Sequence, residues 1–163
     1  MEPKAQPGAQ AVPRIRQILS AGGSCFLTVT GNSMAPFLHH ERDAVVLAAP
    51  EERHFARGQI LFFERRGGGY ILHRVRRVLR DGSLVMNGDA QAWVERIRRD
   101  QVVAAVVAVR RKDGSLVDCG SLRWRLRSAM WYPTRPLRPL LFRLRARLRG
   151  GRNAGTGGGG TDL

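Results

Sequence analysis

The sequence predicts an all-β domain, a barrel or sandwich of short strands, with a short helix before it and a basic helical segment after it. Three observations carry that expectation. Short β-branched and aromatic runs alternate with Gly, Asp-Gly and Gly-rich turn signals over residues 24–119, which suits an all-β barrel or sandwich. Helical spacing of apolar residues is confined to residues 12–19 and to the stretch after Gly120. A chain of 163 residues, 43% of them hydrophobic, is enough for one domain with a real core and too short for two comfortable ones.

Residues 1–10 carry Pro3, Pro7 and Gly8 and read as a disordered lead. Val12, Ile15, Ile18 and Leu19 then recur at helical spacing, with Pro13 tolerated in the first turn and Gly22-Gly23 as the stop. Strands are expected over 25–30, 43–49, 59–64, 70–79, 83–87, 102–111 and 116–119. The turns between them include Gly67-Gly68-Gly69, Asp81-Gly82 and Asp113-Gly114. These elements define a domain over 11–120. Residues 121–149 form a basic extension: no acidic residue lies between Asp118 and Asp162. Leu137, Leu140, Leu141, Leu144 and Leu148 share one helical face, arginines fill most of the rest, and Trp124, Trp131 and Tyr132 lie upstream. Such a helix would either lie on an anionic membrane surface or pack over the β domain. Residues 150–163 are a glycine-rich, disordered tail.

Twenty-eight Lys and Arg against thirteen Asp and Glu give a formal charge of +15, which suits anionic partners. A nucleic-acid binder is disfavoured all the same. The stretch before Ser24 is too short for a helix-turn-helix module, and the strands lack a cluster of stacking aromatics. Cys25 and Cys119 have no metal-ligand spacing and read as reduced core thiols, with a disulfide between them as the other option. His39 and His40 are adjacent and have no carboxylate or thiol partners at ligand spacing, so neither a metal site nor a cofactor is expected. No run approaches the roughly 20 apolar residues of a membrane-spanning helix. Residues 1–10 have no apolar core like that of a secretory signal. The expected address is the cytoplasm, with the inner membrane face as a place for the basic segment to dock.

The chemistry-bearing residues come in a fixed order. Gly31-Asn32-Ser33-Met34-Ala35-Pro36 follows the first strand, and Arg42-Asp43 and Arg57-Gly58-Gln59 come next. Ile71-Leu72-His73-Arg74-Val75 and Asn87-Gly88-Asp89-Ala90 then face each other across a hairpin. Serine is a weak nucleophile until a neighbouring base takes its proton. Alternation along the strand puts His73 beside Ile71 and Val75 on an apolar face, where desolvation favours the neutral, proton-accepting imidazole. Asp89, after Gly88, would hold that imidazole in the right tautomer. Singly, each residue has an ordinary reading: Ser33 and Asp89 as turn residues, His73 as a core histidine.

Together, Gly-x-Ser-Met-x-Pro-x-Leu, Asp-x-Val, His-Arg-Val and Gly-Asp-Ala resemble the signal peptidase I family within the LexA-like serine peptidase superfamily. The resemblance covers residues 24–110. It is nearest the branch of archaea, the endoplasmic reticulum and some Gram-positive bacteria, which uses histidine where most bacterial enzymes use lysine. It implies a serine endopeptidase that cleaves an extended peptide or precursor protein, with Ser33 as nucleophile and His73 as general base. Asp89 would orient the base, and Glu95, where that branch often carries a second aspartate, is the reserve. Gly31, Asn32, Met34 and Pro36 would line the oxyanion and substrate site. Arg42-Asp43 and Gly58-Gln59 depart from the family's Gly-Asp pairs at positions expected to be structural turns. The competing expectation is a binding or regulatory module with the same fold and no chemistry, against which the complete Ser/His/Asp set argues.

Overall fold

Residues 10–131 and 133 are described by the computed structural model. Among them, eight strands form one sheet in which every pairing is antiparallel. In chain order they are β1 (Cys25–Thr28), β2 (Ala44–Ala48), β3 (Ile60–Glu64), β4 (Tyr70–Val78), β5 (Leu84–Asn87), β6 (Glu95–Ile97), β7 (Val102–Arg110) and β8 (Leu116–Asp118). Their spatial order is β1-β2-β7-β3-β4-β5-β6, with β8 also paired to β7. Two short helices, α1 (Val12–Ser20) and α2 (Leu122–Trp131), accompany the sheet. The all-β expectation holds at this level.

The central strands are apolar at consecutive positions because both of their faces are covered. Ile60 and Phe62 of β3 join a first core with Val45, Leu47, Val103 and Val106. Leu61 and Phe63 point the other way, into a second core with Val75, Leu84, Met86 and Ile97. Each such side chain contributes about 1.5–3 kcal/mol when fully buried. α1 covers the first core with Val12, Ile15 and Leu19, the face its spacing marks out. β4 divides its residues by alternation: Leu72 belongs to the first core, while Ile71 and Val75 belong to the second.

The expected strands are all present, most of them a residue or two shorter at their ends. β6 is the addition, and at three residues it is too short for an alternating pattern to register. Arg42-Asp43 is structural. Asp43 is 1% exposed, accepts the His39 N–H at 2.9 Å and is held by Arg111 at 3.0 Å and by Arg42. Cys25 and Cys119 are free thiols, and burial pushes Cys119 up to about 12. The described part of the basic extension packs on the sheet: Trp124 and Ser128 of α2 are buried, and Trp124 meets the Phe37 ring edge-on at 5.4 Å. Residues 1–9 of the lead expected over 1–10, the leucine face from Leu137 to Leu148 and the glycine-rich tail lie outside the described residues. No helix among the described residues is long and apolar enough to cross a membrane.

Candidate active site

His73 lies on β4 opposite Leu61, with its side chain on the face of the second core. It is fully buried, with the Phe63 ring 6.1 Å away and the Trp93 ring edge-on at 5.7 Å. Val75 pairs with Met86 and Met86 with Glu95, so this face continues across three strands and brings Glu95 diagonally towards His73. Glu95 Oε1 lies 3.0 Å from His73 Nδ1, and its other oxygen accepts Arg65 Nε–H at 2.9 Å. Arg65 in turn lies over Trp93, 5.3 Å from the ring centre. A carboxylate at Nδ1 keeps the proton on that nitrogen and leaves the Nε2 lone pair available. Nε2 is buried and has no hydrogen-bond partner. Burial, reinforced by the Arg65 guanidinium, pushes the imidazole from its ordinary 6.5 down to about 4. The imidazole is therefore neutral well into acid, below the value near 6.5 of an unperturbed histidine.

Asp89 does not take the orienting position. Arg74 follows His73 directly and so emerges on the opposite face of β4. Its Nε and Nη2 hold both oxygens of Asp89, the shortest bond being 2.7 Å. Arg74 and Asp89 are both buried, at 3% exposure each. The guanidinium also donates to Gly58 O at 2.8 Å and Ser128 Oγ at 3.0 Å, and it stacks on Phe37 at 4.7 Å. Asp89 is thus part of a structural knot. The carboxylate on the histidine is Glu95.

Ser33 sits in the turn that leaves β1, five residues past its last member. The turn begins at Gly31, whose φ of 80° suits glycine. The Gly31 N–H donates to His40 Nδ1 at 3.1 Å, and so it is committed to shaping the turn. Met34 is a core residue at 2% exposure, so the chain is anchored in the first core directly after Ser33. Pro36 accepts from His39 Nε2 at 3.1 Å and follows a cis peptide bond; Asn32 is exposed. Ser33 is half-buried, and its carbonyl accepts the Ala90 N–H at 2.8 Å. This bond ties the serine turn to the 88–91 turn beyond β5, whose Asn87 pairs with Arg74. The structure therefore brings His73 and Glu95 into contact and anchors the Ser33 turn beside the next loop. Ser33 Oγ makes no hydrogen bond to His73 Nε2.

Gly88 makes that anchoring feasible. A Cβ at this buried position would stand 2.8 Å from the Ser33 carbonyl oxygen, which is closer than packed atoms come. Gly88→Ala is expected to destabilise the domain by about 1–3 kcal/mol through overpacking and to displace the Ser33 turn. Urea midpoints compared with wild type check the first effect.

A groove of about 470 Å³ beside β1 is lined by Ser33 together with Phe26, Thr28, Thr30, Phe62 and Tyr70 among others. Among the described residues β1 pairs only with β2, which leaves one of its edges unpaired by them, the geometry that an added extended peptide uses. His73 is not among the lining residues. Among the described residues no cluster of His, Cys, Asp or Glu suits a metal ion.

No protein family, curated protein or solved structure matches the chain. Two residues at the site escape sequence reasoning: Arg65, at the base of the β3–β4 hairpin, and Trp93, two residues before Glu95. Neither spacing nor composition marks Arg65. An exposed tryptophan beside a short strand is a signal for Trp93, though a weak one.

Proposed function

We propose that the chain is a serine endopeptidase of the signal-peptidase and LexA-like kind, with Ser33 as nucleophile, His73 as general base and Glu95 as the group that orients the base. One observation carries the reading: a buried imidazole, bound by a carboxylate at Nδ1, has a neutral and unpartnered Nε2. Such an arrangement prepares a base and gives a core histidine no evident purpose. Ser33 Oγ attacks the scissile carbonyl while Nε2 takes its proton, which requires the hydroxyl to close on Nε2 when substrate binds. Hydrogen bonds of this kind are often long in free enzymes and tighten in the complex. The oxyanion is met by the Ser33 N–H and a second donor, for which the exposed side-chain amide of the neighbouring Asn32 is the candidate. The imidazolium then protonates the departing amine. Water, deprotonated by the same nitrogen, hydrolyses the acyl-serine and returns the hydroxyl. The peptide lies along the free edge of β1.

A fluorophosphonate probe tests the assignment at the nucleophile itself. Wild type should be labelled on Ser33, Ser33→Ala should not, and His73→Ala should label at least tenfold more slowly. Folded wild-type protein that stays unlabelled overturns the reading in favour of a binding module without chemistry, and label that persists in Ser33→Ala overturns it by placing the reactive group elsewhere.

A further inference from the structure

α2 carries apolar residues on two opposite sides, and the sheet uses only one. Trp124 and Ser128 face inward and are buried. Leu122, Leu126 and Met130, four residues apart, project from the far side with exposures of 69%, 55% and 74%. Residues at this spacing form one continuous stripe. Arg123 borders it on one side and Arg125 on the other. Two grooves flank the helix, of about 760 and 690 Å³. The first is lined by Arg53, Arg57 and Arg125, the second by Arg57, Arg76 and Arg77, and neither has an acidic residue in its lining. The second groove extends the apolar surface onto the sheet through Val78 and Val94, both exposed.

We propose that this face docks on an anionic phospholipid bilayer, with α2 lying in the plane of the headgroups. Exposed leucine and methionine stay out of water at the acyl boundary, and arginines on both flanks meet the phosphates, which they bind in a forked, bidentate manner. Charge complementarity selects this occupant over a second copy of the chain, because two such faces would bring arginine against arginine. A nucleic acid would satisfy the arginines and leave the apolar stripe in water. The proposal does not depend on the peptidase chemistry, since none of these residues belongs to the His73–Glu95–Ser33 set.

Sedimentation of the full chain with phosphatidylglycerol-containing vesicles, against pure phosphatidylcholine vesicles, tests it. Binding should favour the anionic vesicles by at least tenfold and weaken strongly between 0.1 and 0.5 M salt, as screening requires. Leu126→Asp with Met130→Asp should lower it at least tenfold. Both positions are exposed, so circular dichroism and the urea midpoint should match wild type. Arg123→Glu with Arg125→Glu should do the same by a different route. Equal binding to neutral vesicles, or undiminished binding by the Leu126→Asp, Met130→Asp variant, overturns the proposal. So does a concentration-dependent dimer abolished by that variant, or a preference for duplex DNA over the vesicles.

Discussion

Asp89→Ala is expected to cost about 3–5 kcal/mol of folding stability, the loss typical of a buried ion pair deprived of one partner. For a small domain stable by about 5–15 kcal/mol that is a large fraction of the whole. The reason is the guanidinium it leaves behind. Arg74 is 3% exposed and gives Asp89 its Nε and Nη2. Without the carboxylate, a cation remains inside the fold with two donors unanswered. Trp131 donates Nε1–H to the Asp89 carbonyl at 2.9 Å, and that bond survives the substitution only if the turn stays in place. Urea denaturation of Asp89→Ala, set beside Arg74→Met with Asp89→Leu, separates charge burial from packing. The double substitution should regain part of the loss, since it removes the orphaned charge. A single variant within about 1 kcal/mol of wild type would show the pair to be incidental.

On the proposed peptidase reading, the largest effect on turnover is expected at the other face of β4. His73→Ala should reduce peptide cleavage by about 10²–10⁴, the usual worth of a general base, and Glu95→Gln should lose at least tenfold by releasing the tautomer. The pH profile distinguishes these residues from bystanders. Proton acceptance needs the neutral imidazole, which persists down to about 4 because burial, and after it Arg65, disfavours the cation. Activity should therefore hold from neutral pH into mild acid and fall only as pH approaches 4. Arg65→Gln removes the cationic contribution and should move the acid limb to higher pH. Stability follows the same shift with a fixed sign. The unfolded histidine binds its proton near 6.5 while the folded one waits until about 4. The fold thus loses stability as pH falls between those values, by up to about 3 kcal/mol at about 1.4 kcal/mol per unit. An acid limb near 6.5 in the wild type would show that His73 is not held in the state described.

The face of His73 was legible in the sequence, because Ile71 and Val75 bracket it at the period of a strand. Its carboxylate was harder to read. Asp89 and Glu95 are both plausible by order along the chain, and a one-residue difference decides between them: positions 73 and 74 point to opposite faces, so the carboxylate that meets Arg74 cannot also serve His73. Glu95 arrives across β5 through two strand pairings, and register of that kind is a property of the assembled sheet. The strand that carries it has three residues, too few for a periodic signal. Consecutive apolar residues in β3 and β7 mark them as strands, and the two cores show that both of their faces are covered. The packing of α2 did not show in advance, since its arginine-rich sequence suits water, lipid and protein about equally.

The Arg74 knot also sets an order of events during synthesis. Its guanidinium draws on Gly58 and Asp89 from nearby chain and on Ser128, which is 54 residues downstream. A nascent chain that has emerged only as far as β8 holds all the described strands and still lacks one acceptor for this cation, along with the Trp124 ring that shields it at 5.8 Å. Final closure must therefore wait for the last described helix to clear the ribosome. A premature stop between Cys119 and Trp124 would yield a polypeptide with every described strand and an unfinished interior, a natural target for quality-control proteolysis.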